Sequence, residues 1–217
     1  MGAVIPLSDA TRRPVRFPIV TLGLIVANFV VFGFEIAGGE PFVLRWAATP
    51  ANIAAGGHWI TLFTSMFLHG SWSHILGNMV FLWAFGPEVE DAMGSPRYLA
   101  FYLLGGLVAM GAQIAMNLSS TAPNLGASGA IAAVMGAFLV TYPQDEIRVL
   151  LVILIFVRVA FIPAAVLIGV WFLTQLANVG SVASVQGGGV AYIAHVCGLL
   201  FGAAAGKLFE RQGRVAA

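Results

Sequence analysis

Long apolar stretches joined by short polar segments dominate this chain. Residues 1–16 are polar and hold Arg12, Arg13 and Arg16, and a first apolar stretch covers 17–38, opened by Phe17-Pro18-Ile19-Val20. A helix needs roughly 20 apolar residues to cross a bilayer, so this stretch predicts a span. Residues 39–72 mix aromatic and polar positions, among them Trp46, His58, Trp59, Phe63, Phe67, His69 and Trp72. They predict a structured loop with short helices in the outer interface, where aromatic rings collect. Further spans are predicted over 73–92 and over 96–117, the latter opened by Pro96. The fourth begins near Ser128 and ends before Pro143, about 16 residues or ~24 Å at the helical rise. Its start is therefore expected beneath the membrane surface, reached by an inward-dipping loop at 118–126; such backbone is tolerated only inside protein or beside water. Residues 147–178 are too long for one span and are interrupted by Arg158 and Pro163, predicting an interfacial piece at 147–160 and a fifth span at 161–178. A Gly/Ser-rich loop from Gly180 to Gly189 leads to a sixth span over 190–208. The expected fold is all-α: a cytoplasmic segment 1–16, a six-helix membrane domain 17–209 with a structured loop between its first two helices, and a cytoplasmic tail 210–217.

Composition agrees with a membrane protein. Of 217 residues 59% are hydrophobic and 9% charged, against about a quarter charged in soluble domains. The net charge of +1 offers nothing to a nucleic acid. The single cysteine, Cys197, lies in an apolar run and is expected to be an inert thiol. A polar segment precedes the first apolar stretch, so that stretch is expected to act as the insertion signal. With the N-terminus inside, Arg12, Arg13, Arg16, Arg97, Arg148, Lys207, Arg211 and Arg214 fall on the cytoplasmic side, and Arg45 falls outside. That asymmetry follows the positive-inside rule and brings the first loop, the dipping loop and the Gly-rich loop to the outer face.

Two residues then approach that face from different spans. Ser128 sits in Gly126-Ala127-Ser128-Gly129-Ala130 at the start of an apolar helix, and His195 lies within another. A serine hydroxyl is a weak nucleophile until a base takes its proton. No Asp or Glu lies in the middle of a predicted span, where a charge would be costly, so the pattern points to a Ser–His dyad rather than a triad. A helix start also supplies unpaired N–H groups and partial positive charge, as a developing oxyanion requires. Gly-Ala-Ser-Gly is equally a packing sequence, since small residues let membrane helices approach. The same two readings apply to Gly198, Gly202 and Gly206, four residues apart on one helix face, and to Ser128, Ala132 and Gly136 on another. Packing of those faces would bring Ser128 against His195. His74 and Asn78, also four apart, read either as oxyanion donors or, for Asn78, as interhelical glue. His69 is expected to tie down the outer loop, and His58 carries no role. Neither a metal site nor any other cofactor is expected, because no Cys, Asp or Glu joins the histidine pair.

The ordered motifs over about 58–206 resemble the rhomboid family of intramembrane serine proteases. Trp59 with Thr64-Ser65-Met66-Phe67-Leu68-His69 is similar to the family's first-loop motif, and His74-Ile75-Leu76-Gly77-Asn78-Met79 to its His-and-Asn helix. Gly86, Glu90, Gly94 and Ser95 resemble that helix's cytoplasmic end; Gly126-Ala127-Ser128-Gly129 resembles the nucleophile motif; Trp171-Phe172-Leu173-Thr174-Gln175 resembles the fifth helix; and Ala194-His195-Val196-Cys197-Gly198, followed by Gly202, resembles the base helix. The resemblance implies Ser128 as nucleophile, His195 as general base, and His74, Asn78 and the Ser128 backbone N–H as the oxyanion hole, with Gly126 shaping its loop. His69, Glu90, Gly94, Gly129, Gly198 and Gly202 would be structural supports. It further implies substrates that are transmembrane proteins cut near the outer ends of their spans, membrane lipid as the surroundings, a bacterial six-helix form in the inner (plasma) membrane, and a cap and gate formed by residues 179–189 and the fifth span. Two departures stand out. Many members carry an aromatic four residues after the nucleophile where this chain has Ala132, and the first loop lacks the family's Trp-Arg pair around Trp59-Ile60-Thr61. The competing readings are a silent rhomboid-like protein that binds membrane clients, and a small transporter using His74, Asn78 and His195 as a polar path.

Overall fold

The computed structural model describes residues 2–182 and 191–211. Its helices follow the apolar stretches closely. Helix α1 spans Ile19–Trp46 and bends at Gly39, whose φ of 60° and ψ of −157° interrupt the helix just before Pro41. Short helices α2 (Pro50–Ala54) and α3 (Thr61–Thr64) and a 3₁₀ turn at Ser65–Phe67 occupy the connection. Then come α4 (Trp72–Met93), α5 (Ser95–Ala115), α6 (Ser128–Thr141), α7 (Ala164–Val182) and α8 (Tyr192–Phe209). Among the described residues α1, α5 and α8 are long and apolar enough to cross a membrane, and Ser128–Thr141 and Ala164–Val179 form shorter apolar helices. Helix α4 has the length but carries His74, Asn78, Glu88, Glu90 and Asp91.

The fold is mostly helical, as expected, but it also holds a three-stranded antiparallel sheet that the all-α expectation did not include. Strand β1 (Gly2–Asp9) pairs with β2 (Glu146–Ile153), which pairs with β3 (Phe156–Pro163). The segment 147–160, expected as an interfacial piece, is a hairpin, and residues 2–9 of the N-terminal segment supply the sheet's third strand. The cause lies in the residues: Ile147 and Val149 are fully buried and alternate with the exposed Glu146 and Arg148, a period of two that a helix cannot satisfy. The fifth helix accordingly begins only at Ala164, after Pro163 has ended the strand.

Helix α6 is the axis of the bundle. Every residue from Gly129 to Phe138 is buried, and α4, α5 and α8 surround it. Small residues make the α6–α8 contact close. A Cβ on Gly198 would overlap the Gly129 carbonyl, one on Gly202 the Ala133 carbonyl, and one on Gly206 would lie 2.8 Å from Ala137 Cβ. The face of α6 that receives this ladder is therefore Gly129, Ala133 and Ala137, one position beyond the Ser128–Ala132–Gly136 row; Gly136 instead meets the Leu199 carbonyl.

One end of the bundle is closed by polar ties. The Glu90 carboxylate accepts hydrogen bonds from Val20 N–H (2.9 Å), Thr21 N–H (2.8 Å), the Thr21 hydroxyl (2.8 Å) and the Ser95 hydroxyl (2.7 Å). It thereby caps α1, whose free N–H groups and dipole favour a negative charge. Gly94, with φ of 81°, makes the sharp turn into α5, and the Arg211 guanidinium lies over it. Thr141 at the end of α6 donates to Glu210 Oε1 (2.7 Å), and Arg211 N–H donates to Ala92 O (3.1 Å). Arg12 forms an ion pair with Asp145 and lies 4.1 Å from the Tyr142 ring centroid.

Candidate active site

The opposite end of the bundle carries the functional candidates. Its loops are fastened to one another: Ala48 and Asn124 exchange backbone hydrogen bonds of 3.0 and 2.8 Å, Ala51 N–H donates to Ser120 O (3.0 Å), and Gly126 N–H donates to Ser65 O (2.9 Å). These ties hold the segment leading into α6. Gly126 has φ of 128°, which a side chain rarely tolerates, and a Cβ there would lie 3.0 Å from His74 Nε2 and 3.6 Å from Ser128 Oγ. The backbone at Gly126, the His74 ring and the Ser128 hydroxyl therefore converge on one spot, with Ser128 the first residue of α6.

His195 meets them from α8. Its Nε2 lies 2.7 Å from Ser128 Oγ, and its Nδ1 lies 2.7 Å from Gln175 Oε1 on α7. The imidazole is buried at 8% exposure, and the Trp171 ring packs against it at 5.5 Å between centroids, tilted by 37°. Tyr192 approaches edge-on at 6.4 Å. Gln113 Oε1 accepts from Ala194 N–H (3.3 Å) in the first turn of α8. A narrow crevice runs beside Ser128, bounded by Met66, Gly106, Met110, Leu125 and Ala194.

On α4, Ser71 caps the helix by accepting from His74 N–H (3.1 Å). Asn78, one turn further on, is buried with its Nδ2 unpartnered. Buried amide N–H groups are nearly always paired, so an open donor one turn along α4 from His74 is informative. His69 is fully buried next to His74, ring centroids 5.1 Å apart. Burial, with His74 beside it, lowers its imidazole to about 4, which keeps it neutral near pH 7. The loop is tied down through the His69 backbone N–H, which donates to both Glu35 carboxylate oxygens (2.9 and 3.0 Å) on α1. His58 stands apart at φ of 58° in the connection between α2 and α3. The proposed cap at 179–189 lies largely outside the described residues.

A family model for the rhomboid domain matches residues 56–212. The chain belongs to the rhomboid family. It is 36% identical over 111 residues to the rhomboid protease GluP of Bacillus subtilis, covering 50% of this chain and 21% of that one. It is 29% identical over 163 residues to rhomboid protein 1, mitochondrial, of Saccharomyces cerevisiae (70% and 44% covered). It is 26% identical over 147 residues to the human presenilin-associated rhomboid-like protein, mitochondrial (66% and 36%). The chain thus spans less than half the length of each of these relatives.

Within this rhomboid, the missing aromatic at Ala132 has a visible counterpart. Ala132 is fully buried, its Cβ 3.2 Å from where a Gly198 Cβ would be, and leaves no room for a ring. The aromatic against His195 comes instead from Trp171 on α7. Gln175 and Trp171 went unassigned in the sequence as partners of the base. The available signal was a lone amide in an apolar helix, one turn after a tryptophan and so on the same face.

Proposed function

We propose that this rhomboid is an intramembrane serine endopeptidase acting through a Ser128–His195 dyad. The observation that carries the reading is the 2.7 Å contact between His195 Nε2 and Ser128 Oγ at the mouth of a buried helix. His195 Nε2 takes the hydroxyl proton as Ser128 Oγ bonds to the scissile carbonyl carbon. The oxyanion accepts hydrogen bonds from the Ser128 backbone N–H, the His74 ring and Asn78 Nδ2. Collapse breaks the C–N bond, and the imidazolium hands its proton to the departing amine. Water, deprotonated by the same base, then releases the acyl group from Ser128. These steps need no group beyond the chain and water.

Six crossings by α1, α4, α5, α6, α7 and α8, with both termini cytoplasmic in the inner membrane, would place this chemistry near the outer face. A substrate there is the end of a transmembrane helix, and it must unwind locally, because helical hydrogen bonding shields its peptide bonds. The test uses the purified chain in liposomes with a labelled model transmembrane substrate and a fluorophosphonate probe. Cleavage and labelling by the wild type, both lost in Ser128→Ala and with cleavage lost in His195→Ala, are the expected results. Normal cleavage by Ser128→Ala refutes the assignment. Absence of both cleavage and labelling in the folded wild type would favour a client-binding role instead.

A further inference from the structure

We infer that Gln175 is a positioning residue that serves as a neutral third member behind the dyad, selecting the histidine tautomer that can act as base. This rests on the hydrolase reading above.

The argument begins with the amide itself. Gln175 Nε2 lies 3.4 Å from the Trp171 carbonyl and 3.3 Å from Thr174 Oγ1. The carbonyl can only accept, so the Nε2 end of the amide must face it; the reversed amide would set two acceptors against each other. That leaves Oε1 for His195, 2.7 Å from Nδ1. An acceptor at that distance requires the proton on Nδ1, and a neutral imidazole with Nδ1–H has its lone pair on Nε2. Nε2 is the atom 2.7 Å from Ser128 Oγ. The hydrogen-bond chain from Trp171 O through Gln175 and His195 thus ends in an acceptor aimed at the serine proton.

In soluble serine hydrolases a buried carboxylate performs this task. Within an apolar bundle a carboxylate would carry a heavy desolvation cost, and an amide carbonyl fixes the same tautomer without charge. The other contacts agree with a positioning role. Trp171 is one turn before Gln175 on the same face of α7 and packs against the ring that Gln175 hydrogen-bonds. The titratable groups facing His195 are His74 on α4 and Tyr192 on α8, and neither hydrogen-bonds Nδ1 among the described residues. Helix α7 therefore supplies both ring-face packing and the tautomer-setting acceptor, while α8 supplies the base.

The experiment compares wild type, Gln175→Leu and Gln175→Glu in liposomes, reading kcat, KM and the pH profile of kcat/KM, with thermal melts as the folding control. Gln175→Leu removes the acceptor without forcing the wrong tautomer. Its kcat should fall about 10- to 100-fold with KM unchanged, less than the roughly 10⁴-fold loss that a forced wrong tautomer brings elsewhere. Gln175→Glu should recover much of that loss and move the acid limb of the profile upward by about one pH unit, because a carboxylate favours the imidazolium. A merely structural glutamine would not move that limb. Leu kcat within twofold of wild type overturns the inference, as does a Glu variant with an unmoved acid limb; if the Leu variant fails to fold, the Glu profile decides alone. Ser128→Ala separates the two levels: if it still cleaves, the hydrolase reading itself fails, whereas an inert Ser128→Ala beside a fully active Gln175→Leu refutes only the positioning role.

Discussion

Adding one methyl group at Gly198 should disable the site by moving helices rather than by touching either reacting atom. Gly198 is three residues after His195, and a Cβ there would overlap the carbonyl of Gly129, the residue next to Ser128. The obstructing carbonyl is backbone and cannot swing aside, so relief requires α8 to retreat from α6 by about 1 Å or more to reach ordinary contact near 3.5 Å. A retreat of that size stretches the 2.7 Å Ser128–His195 contact beyond hydrogen-bonding range. Overpacking of this kind costs about 1–3 kcal/mol, or roughly 2–12 °C in Tm for a chain of this size. A misplacement of about 1 Å at a reacting pair costs on the order of 100-fold in rate. Gly206→Ala is the matched control. Its Cβ would meet Ala137 Cβ at 2.8 Å and Cα at 2.9 Å, on the same helix face but roughly 16 Å along the axis from His195. Gly206→Ala should show a similar fall in Tm with less than about tenfold loss of activity. The assay is cleavage of a labelled transmembrane substrate beside thermal melts. A folded Gly198→Ala enzyme with wild-type kcat, or equal activity losses at the two positions, would refute the link between helix separation and the dyad.

Other outcomes follow from single contacts. Asn78→Ala should lower kcat by about 10- to 1,000-fold, as loss of an oxyanion donor does elsewhere. Because Nδ2 has no partner among the described residues, the same variant should melt close to wild type, and unchanged kinetics would return Asn78 to a packing role. Glu90→Ala strands the Val20 and Thr21 N–H groups and should cost about 3 kcal/mol in stability, read as a lower Tm with KM unchanged. Asp9 is raised from 3.8 to about 6, first by burial and further by Asp145 nearby, against the pull of the Thr11 and Arg12 N–H groups. A carboxyl raised in the folded state binds more protons folded than unfolded, so Asp9's contribution to stability is greatest below about pH 4 and is lost as pH rises through 6. Asp9→Asn keeps the acceptor for those N–H groups, and its Tm advantage over wild type should open between pH 4 and 6 and persist above; a pH-independent difference would refute this.

Much of the helical frame is legible in the chain because membrane-type helices declare themselves by apolar length. The predicted stretches 73–92 and 96–117 became Trp72–Met93 and Ser95–Ala115, and the short fourth stretch became Ser128–Thr141. The sheet was not legible. Apart from Glu146, Arg148 and Arg158, Glu146–Pro163 is apolar, and in such a run neither length nor hydropathy separates a strand pair from a helix. Its partner, Gly2–Asp9, lies more than a hundred residues away, beyond any local signal. At the candidate site, Ser128 and His195 stand out because a serine flanked by Gly126 and Gly129 and a lone histidine are conspicuous in apolar helices. Gln175 does not, because an amide in a membrane helix has many uses and only the 2.7 Å contact with Nδ1 singles out this one. The Ser128–Ala132–Gly136 row does face α8, but the glycine ladder itself seats on the adjoining Gly129–Ala133–Ala137 row, because a face spaced by four residues fixes the stripe but not its rotation against the neighbour.

Pairing of β1 with β2 has a consequence for how the chain threads through the bilayer. Hydrogen-bonded strands must share a compartment, so the polypeptide between Asp9 and Glu146 traverses the membrane an even number of times, whatever the charge of its loops. A reporter fused ahead of Gly2 and one inserted at the Leu154–Ile155 tip must answer from the same side. During synthesis the first strand waits, unpaired, until the hairpin emerges beside it, so closure of the sheet marks completion of the four helices α1, α4, α5 and α6 in between.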